Sequence, residues 1–153
     1  MTKINVKEEY EKLKYKLPKF EDLDNEFEIS IIKNKEFLLR SIRRKMNDKV
    51  IFFCRILESL LYPSGNTIIN MNEVKDFNDE DKENMEEIYK KLMIFERDSL
   101  IADVEPDEKK DVEYINKLFE GWINFKKDIL KITKKMRESW LKEERISKNN
   151  YFG

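Results

Sequence analysis

The chain contains no histidine, and this absence excludes several kinds of chemistry. Nucleophilic sites of the Ser-His-Asp and Cys-His types need an imidazole base. Zinc sites with histidine ligands and Glu-x-x-His di-iron bundles are excluded for the same reason. Any metal site would therefore be built from carboxylates and would hold Mg²⁺, Mn²⁺ or Ca²⁺. We assign no catalytic residue, and we expect the protein not to be an enzyme.

The chain has a single cysteine, Cys54, and no intramolecular disulfide can form. This fits a reducing cell interior. We predict that Cys54, beside Phe53, is a small buried side chain. There is no run of 18 apolar residues and no apolar signal region near the start of the chain. The sequence therefore predicts a cytoplasmic protein that does not span a membrane.

Glycine and proline number three each, alanine occurs once and glutamine is absent, whereas charged residues make up 41% of the chain. Abundant lysine and glutamate with few thermolabile residues is typical of proteins from hyperthermophiles. The thirteen asparagines point the other way, and an AT-rich genome would also give many lysines and isoleucines. We predict a thermophilic source.

Apolar residues repeat at helical spacing in four stretches. The first runs from Asn5 to Leu17, where Pro18 ends it. The second starts near Glu21 and extends as far as Tyr62, with a joint at Lys33–Lys35 that is either continuous or broken. Its seven-residue stripe comprises Leu39, Ile42, Met46, Val50, Phe53, Ile56, Leu57 and Leu60.

The third stretch begins with Asn78 as a predicted N-cap and ends near Ile101. In the fourth, Pro106 is predicted as the first helical residue. Its 3–4 alternation comprises Ile115, Leu118, Trp122, Phe125, Ile129, Ile132 and Met136. Residues 66–77, which include Thr67, Ile68 and Ile69, are predicted as a loop packed across the bundle.

These stretches predict an all-α fold, an up-down bundle of three long helices plus a short N-terminal helix. We predict one domain, residues 1–153, with a frayed tail at 146–153. In such a bundle the second and fourth helices run parallel to each other.

The basic residues are concentrated in those two parallel helices. Residues 63–113 carry 7 basic and 16 acidic side chains, whereas residues 114–153 carry 10 basic and 5 acidic ones. A surface that neutralises phosphates would need such clusters. Solvated outer faces paired with acids are the other interpretation. Arg43, Lys45 and Lys49 also lie toward the apolar stripe, where they either extend to the surface or pair with carboxylates at the edge of the core. The candidate nucleic-acid-binding residues are Arg40, Arg43, Arg44, Lys127, Lys131 and Lys134.

Two acidic pairs suggest a different function. Glu83 and Glu86 are three apart on the third helix, and Glu108 and Asp111 are three apart at the start of the fourth. This spacing resembles the paired signature of all-α nucleotide pyrophosphatases of the MazG and dUTPase type. The resemblance implies that the four carboxylates hold Mg²⁺; apart from this resemblance, we predict no cofactor. Lys82 stands where that family usually has a further glutamate.

The preferred interpretation is a non-enzymatic helical interaction module that binds a protein partner. It depends on surplus apolar residues, because the helix over 37–61 is apolar around much of its circumference. Self-association as a homodimer, through that helix or through the last one, is a related expectation. Nucleic-acid binding and Mg²⁺-dependent nucleotide hydrolysis are the alternatives.

Overall fold

The computed structural model describes residues 5–63 and 68–152, with side chains described for 5–63 and 71–142. The chain is 81% helical, and the described residues contain no strand. The predicted all-α class is therefore confirmed. Within these ranges, every helix is too short or too polar to cross a lipid bilayer.

The N-terminal region is more broken than predicted. Helix α1, Val6–Glu11, is capped by Asn5, whose Oδ1 accepts a hydrogen bond from the Glu8 amide. It ends six residues before the predicted end at Leu17, and the Tyr10 hydroxyl then donates to the carbonyl oxygen of Pro18 at 2.5 Å.

The second predicted helix is broken rather than continuous. Helix α2 is Phe20–Phe27, a 3₁₀ turn follows at Ile29–Ile31, and helix α3 is Leu38–Leu61. Between α2 and the turn, Glu28 adopts the left-handed conformation with φ 54°. Asp24 accepts a hydrogen bond from the Ser30 amide at 2.7 Å. Such local side-chain hydrogen bonds compete with helix formation, and the spacing of apolar residues alone does not predict them.

Helix α4, Ile68–Val74, corrects the predicted loop over residues 66–77. Two of its polar side chains, Asn72 and Glu73, are buried. A helix this short depends on packing more than on intrinsic propensity, so its sequence gave little signal. Asn66 and Thr67 lie outside the described residues.

The two longest helices follow their predicted starts closely. Helix α5, Asp79–Val104, begins with a reciprocal cap: the Asp81 amide donates to Asn78 Oδ1 at 2.8 Å, and the Asn78 amide donates to Asp81 Oδ2 at 3.1 Å. The predicted N-cap at Asn78 is confirmed.

Helix α6 is Glu108–Phe152. Asp107 caps it, with Oδ1 accepting from the Lys109 amide at 3.0 Å, so Pro106 lies before the helix rather than in its first turn. The tail predicted to fray is helical to Phe152, and neither glycine nor proline interrupts the chain between Gly121 and Gly153.

The chain packs as two compact units. Unit 1 comprises Met1–Phe52 and Leu92–Ile123, and unit 2 comprises Phe53–Lys91 and Asn124–Gly153. The single domain over residues 1–153 stays a prediction. The central apolar stripes are buried as expected, including Ile42, Met46, Leu57, Leu118 and Trp122, and so is Cys54.

Contacts within unit 1 establish the helix directions. Arg43 of α3 contacts Asp111 of α6, and Asn47, four residues later, accepts a hydrogen bond from Tyr114 at 2.9 Å. These contacts advance together, so α3 and α6 run parallel here. Arg43 also reaches Asp103 of α5, whereas Tyr114 packs against Phe95. Helix α5 therefore runs antiparallel to both.

Candidate interaction surfaces

Arg43 lies in the interior of unit 1, where its side chain is fully buried. Its Nε donates to Asp111 at 2.6 Å and its Nη2 donates to Asp103 at 2.5 Å. Its Nη1 donates to both the carbonyl and the hydroxyl oxygen of Ser99, at 2.9 and 2.5 Å. One guanidinium thus ties α3 to both α5 and α6, with charge-assisted bonds to two carboxylates.

The electrostatics of this cluster favour the charged forms. Burial alone would lower the pKa of Arg43, but the hydrogen bonds to Asp103 and Asp111 outweigh it and raise the pKa. Burial alone would raise the pKa of Asp103, yet the hydrogen bonds from Arg43 and Arg44 hold it below its ordinary value. The cluster is therefore a satisfied internal ion-pair network.

This position corrects the prediction that Arg43 contacts nucleic acid. Its guanidinium is enclosed by Ser99, Asp103 and Asp111 and offers no surface to a phosphate. Arg44 is more exposed and donates to Asp103 at 3.0 Å. Arg40 is half-buried and stacks over the Phe37 ring at 4.5 Å.

The lysines predicted on the last helix are all at the surface. Lys127, Lys131 and Lys134 are exposed on α6. Within the part of α6 that belongs to unit 2, one side of the helix presents exposed cations and two exposed leucines. We call this the α6 cationic face: Lys127, Leu130, Lys134, Arg137 and Leu141. The predicted arginines lie in unit 1 and these lysines in unit 2, and their union in one patch stays a prediction.

The four carboxylates of the magnesium hypothesis are divided in the same way. Glu83 and Glu86 are exposed on α5 in unit 2, whereas Glu108 and Asp111 belong to unit 1. Asp111 is buried against Arg43, and Glu108 accepts a hydrogen bond from Tyr15 at 2.9 Å. Over the described side chains, no group of three or more acids and cysteines is placed to hold a metal ion.

The second half of α5 is apolar on two opposite sides. Its buried side includes Leu92, Ser99 and Ala102, each at most 2% exposed. At 100° per residue, four large apolar side chains fall within an arc on the other side of the helix. These residues, the α5 apolar face, are Ile94 at 62%, Leu100 at 46%, Ile101 at 53% and Val104 at 86% exposed. An exposed cluster of this kind marks a contact surface more often than a scattered single residue does.

Two acidic residues lie at one edge of this face. Residues 94–108 contain six acidic side chains and one basic side chain, Arg97, but Asp103 pairs with Arg43 and Arg44, and Glu96 pairs with Arg97. Asp98 and Glu105 are exposed and lie seven apart, along one edge of the line joining Ile94 and Ile101. The face therefore combines apolar area with negative charge.

Unit 2 also has a groove of about 320 Å³ between α5 and α6. Its floor is apolar and includes Met85 and Ile132. Its rim carries three acids and three lysines, and Lys135 pairs with Asp81 across it at 2.8 Å. Acidic and basic side chains are therefore equal in number around the groove. Its six charged residues are Asp81, Glu87, Asp128, Lys91, Lys131 and Lys135.

Glu73 is a buried carboxylate in unit 2 with a raised pKa. Burial raises it, and the hydrogen bond from Trp140 only partly opposes this effect. The folded state therefore binds a proton more tightly than the unfolded state, and the stability this gives is present below pH 4.5. It is lost as the pH rises through the folded-state pKa.

We expect Glu73→Gln to be more stable than the wild type at pH 7, because the amide keeps an acceptor for Trp140 without a buried charge. The difference should vanish below pH 4, where Glu73 is protonated. Urea denaturation at both pH values measures it, with exposed Glu83→Gln as the control. A Glu73→Gln protein less stable than wild type at pH 7 would contradict the assignment.

The sequence did not predict the α5 apolar face, and it did not identify Ser99, Asp103 and Asp111 as the partners of Arg43. The face left a signal, since Ile94, Leu100, Ile101 and Val104 fall outside the 3–4 spacing of the apolar residues Met85, Ile88, Leu92 and Phe95. Ser99 and Asp103 left none, because no spacing rule links them to a residue 56 to 60 positions earlier.

Comparison of the chain with models of protein families, with curated proteins and with solved structures found no match.

Proposed function

We propose that the protein is a non-enzymatic interaction module whose α5 apolar face receives an amphipathic helix of basic character. The observation that carries this proposal is the exposure of Ile94, Leu100, Ile101 and Val104 on the side of α5 away from its buried side. A helix that is apolar on two sides buries one in its own fold and offers the other to a partner.

The charge around the face selects the kind of partner. Asp98 and Glu105, exposed at the edge of the face, repel an acidic helix and attract a basic one. Burying each half-exposed isoleucine contributes about 1 kcal/mol. The carboxylates act mainly on specificity and association rate, whereas the apolar residues supply most of the affinity.

A fluorescent model peptide tests the proposal. The probe is about 18 residues long, enough to form a helix, with leucines at helical spacing and lysines elsewhere. We expect Ile94→Ser with Ile101→Ser to weaken its binding about 30-fold, as the loss of about 2 kcal/mol implies. Fluorescence anisotropy gives the dissociation constants.

The matched control is Ile31→Ser, which removes an isoleucine that is 59% exposed outside α5 and should leave binding unchanged. A second peptide, with glutamates in place of the lysines, should not bind. Equal affinity for both peptides, or an unchanged affinity in the double α5 variant, would overturn the proposal.

Nucleic-acid binding is the second candidate, and the α6 cationic face favours it. Lys127, Lys134 and Arg137 are exposed on one side of the helix, where they can contact phosphates. Leu130 and Leu141 lie among them and have no role in phosphate binding. Titration of labelled single-stranded DNA at two salt concentrations tests this candidate, because phosphate contacts weaken steeply with salt. Absence of binding at low salt would eliminate it.

A further inference from the structure

We infer that the helix received by the α5 apolar face is α6 of a second copy of this chain. The inference rests on the proposed function and names its partner. Two faces of opposite charge carry it, one on α5 in unit 1 and one on α6 in unit 2.

The two faces match residue by residue. On α5, Ile101 follows Asp98 by three residues, and Glu105, the residue just after the helix end at Val104, follows Ile101 by four. The Glu105 amide donates to the Ile101 carbonyl oxygen at 2.9 Å, which continues the helical geometry, and the Glu105 carboxylate also pairs with Lys110 at 3.5 Å. On α6, Lys127, Leu130 and Lys134 repeat the same spacings with the charges reversed. All six side chains are exposed. Each helix thus presents an apolar residue between two charges of one sign, and the signs are complementary.

The local charge extends this complementarity beyond those residues. Residues 124–142 carry seven basic and two acidic side chains, and three of these cations, Lys127, Lys134 and Arg137, are exposed on the α6 cationic face. On α6, Leu130 is 53% and Leu141 is 43% exposed. The aliphatic stems of Lys127 and Lys134 add apolar cover for the isoleucines, while their ammonium groups remain at the edge of the contact.

Helix geometry sets the orientation of the pairing. On a helical projection with 100° per residue, Asp98 and Glu105 lie beside the line through Ile94 and Ile101. They are on the side toward which successive residues rotate about the helix axis. Lys127 and Lys134 lie on the corresponding side of the line through Leu130 and Leu141. Two helices that face each other antiparallel bring these corresponding sides together. Antiparallel pairing therefore places the acidic row against the basic row, whereas parallel pairing separates them.

A contact between two single helices belongs to the small, transient interfaces, so association is expected at concentrations from about 10 µM upward. Sedimentation velocity over a concentration series tests it. The wild type should form a species of twice the 18.7 kDa chain mass or larger. Raising the salt concentration should weaken the association.

Two charge-reversal variants identify the faces. The first is Asp98→Lys with Glu105→Lys, and the second is Lys127→Glu with Lys134→Glu. Each alone should associate at least tenfold more weakly than the wild type, because like charges then meet. An equimolar mixture of the two should recover a mixed species, because the basic α5 of one then meets the acidic α6 of the other. Circular dichroism establishes that both variants are folded.

A wild type that stays at 18.7 kDa at the highest concentration would overturn the inference, as would a mixture that does not associate. Monomeric wild type that still binds the lysine-leucine peptide through Ile101 would overturn the second copy alone and leave the proposed function standing. Loss of single-stranded DNA binding in the α6 variant, with self-association unchanged, would also overturn the inference and assign the α6 cationic face to nucleic acid.

Discussion

Replacing Arg43 by methionine is expected to lower the free energy of unfolding by about 3–5 kcal/mol. The methionine leaves Asp111 buried without its cationic partner and removes two hydrogen bonds to Ser99. An uncompensated buried carboxylate is costly, whereas the loss of an exposed ion pair is not. The corresponding fall in melting temperature is roughly 6–20 °C for a chain of this length. Chemical denaturation followed by circular dichroism measures the change.

Arg44→Met is the matched control. Arg44 is the next residue and pairs with the same Asp103, but its side chain is 56% exposed. Its replacement should cost less than about 1 kcal/mol. A further variant, Arg43→Leu with Asp111→Leu, removes both charges of the buried pair and should recover about half of the loss or more. Equal losses for Arg43→Met and Arg44→Met would contradict the assigned role of burial.

The sequence makes Arg43 a candidate for phosphate binding because four of the six residues from Arg40 to Lys45 are cations, while its position beside the apolar stripe also predicts pairing with carboxylates at the core edge. The burial of the Arg43 side chain depends on contacts with residues that are distant in the sequence, and no local pattern predicts such contacts. Asp103 and Asp111 are 60 and 68 positions away. Asp111 taken alone has an ordinary local explanation, as a partner of the helix dipole in the first turn of α6. Only the packing of α3 against α5 and α6 brings the three side chains together.

Features governed by local spacing were predicted better. The core stripe of α3 and the cap at Asn78 depend on residues within a few positions of each other, and both were correct. The breaks around Glu28 and the helix at 68–74 depend on backbone conformation and tertiary packing, and both were missed or left open. The α5 apolar face falls between these cases. Its residues were visible, but a pattern cannot say which of two apolar sides the fold will cover.

The two proposed faces arise because acidic and basic residues are concentrated in different parts of the chain. Acidic and basic residues are nearly equal in number over the whole chain, with a formal net charge of −1. They are nevertheless segregated along it, so α5 and α6 present opposite signs beside exposed apolar residues. If acidic and basic residues were evenly mixed, the charge on each surface would serve only to keep the protein in solution. Because acidic and basic residues are separated, each surface attracts a partner of opposite charge. This attraction weakens as the salt concentration rises.

The second large effect is expected at Trp122, the anchor of α2. Its ring is 1% exposed and lies 4.7 Å from the ring of Phe27, and its indole N–H donates to Glu26 at 2.9 Å. Helix α2 has eight residues, too few to be stable without such docking. Trp122→Ala should therefore lower the free energy of unfolding by about 3–5 kcal/mol. It should also speed amide hydrogen exchange in residues 20–27 more than in the rest of unit 1, which native-state exchange measures.

Trp122→Phe separates the two contributions of this side chain. Phenylalanine keeps a ring against Phe27 but cannot donate to Glu26, so the hydrogen bond is lost while most of the packing remains. We expect a loss of about 1–3 kcal/mol from the missing hydrogen bond to a carboxylate and the smaller ring, with α2 still protected from exchange. If Trp122→Ala left the exchange of α2 unchanged, docking through this ring would be refuted. If Trp122→Phe exposed α2 as fully as alanine does, the bond to Glu26, rather than the ring contact, would be what holds α2 in place.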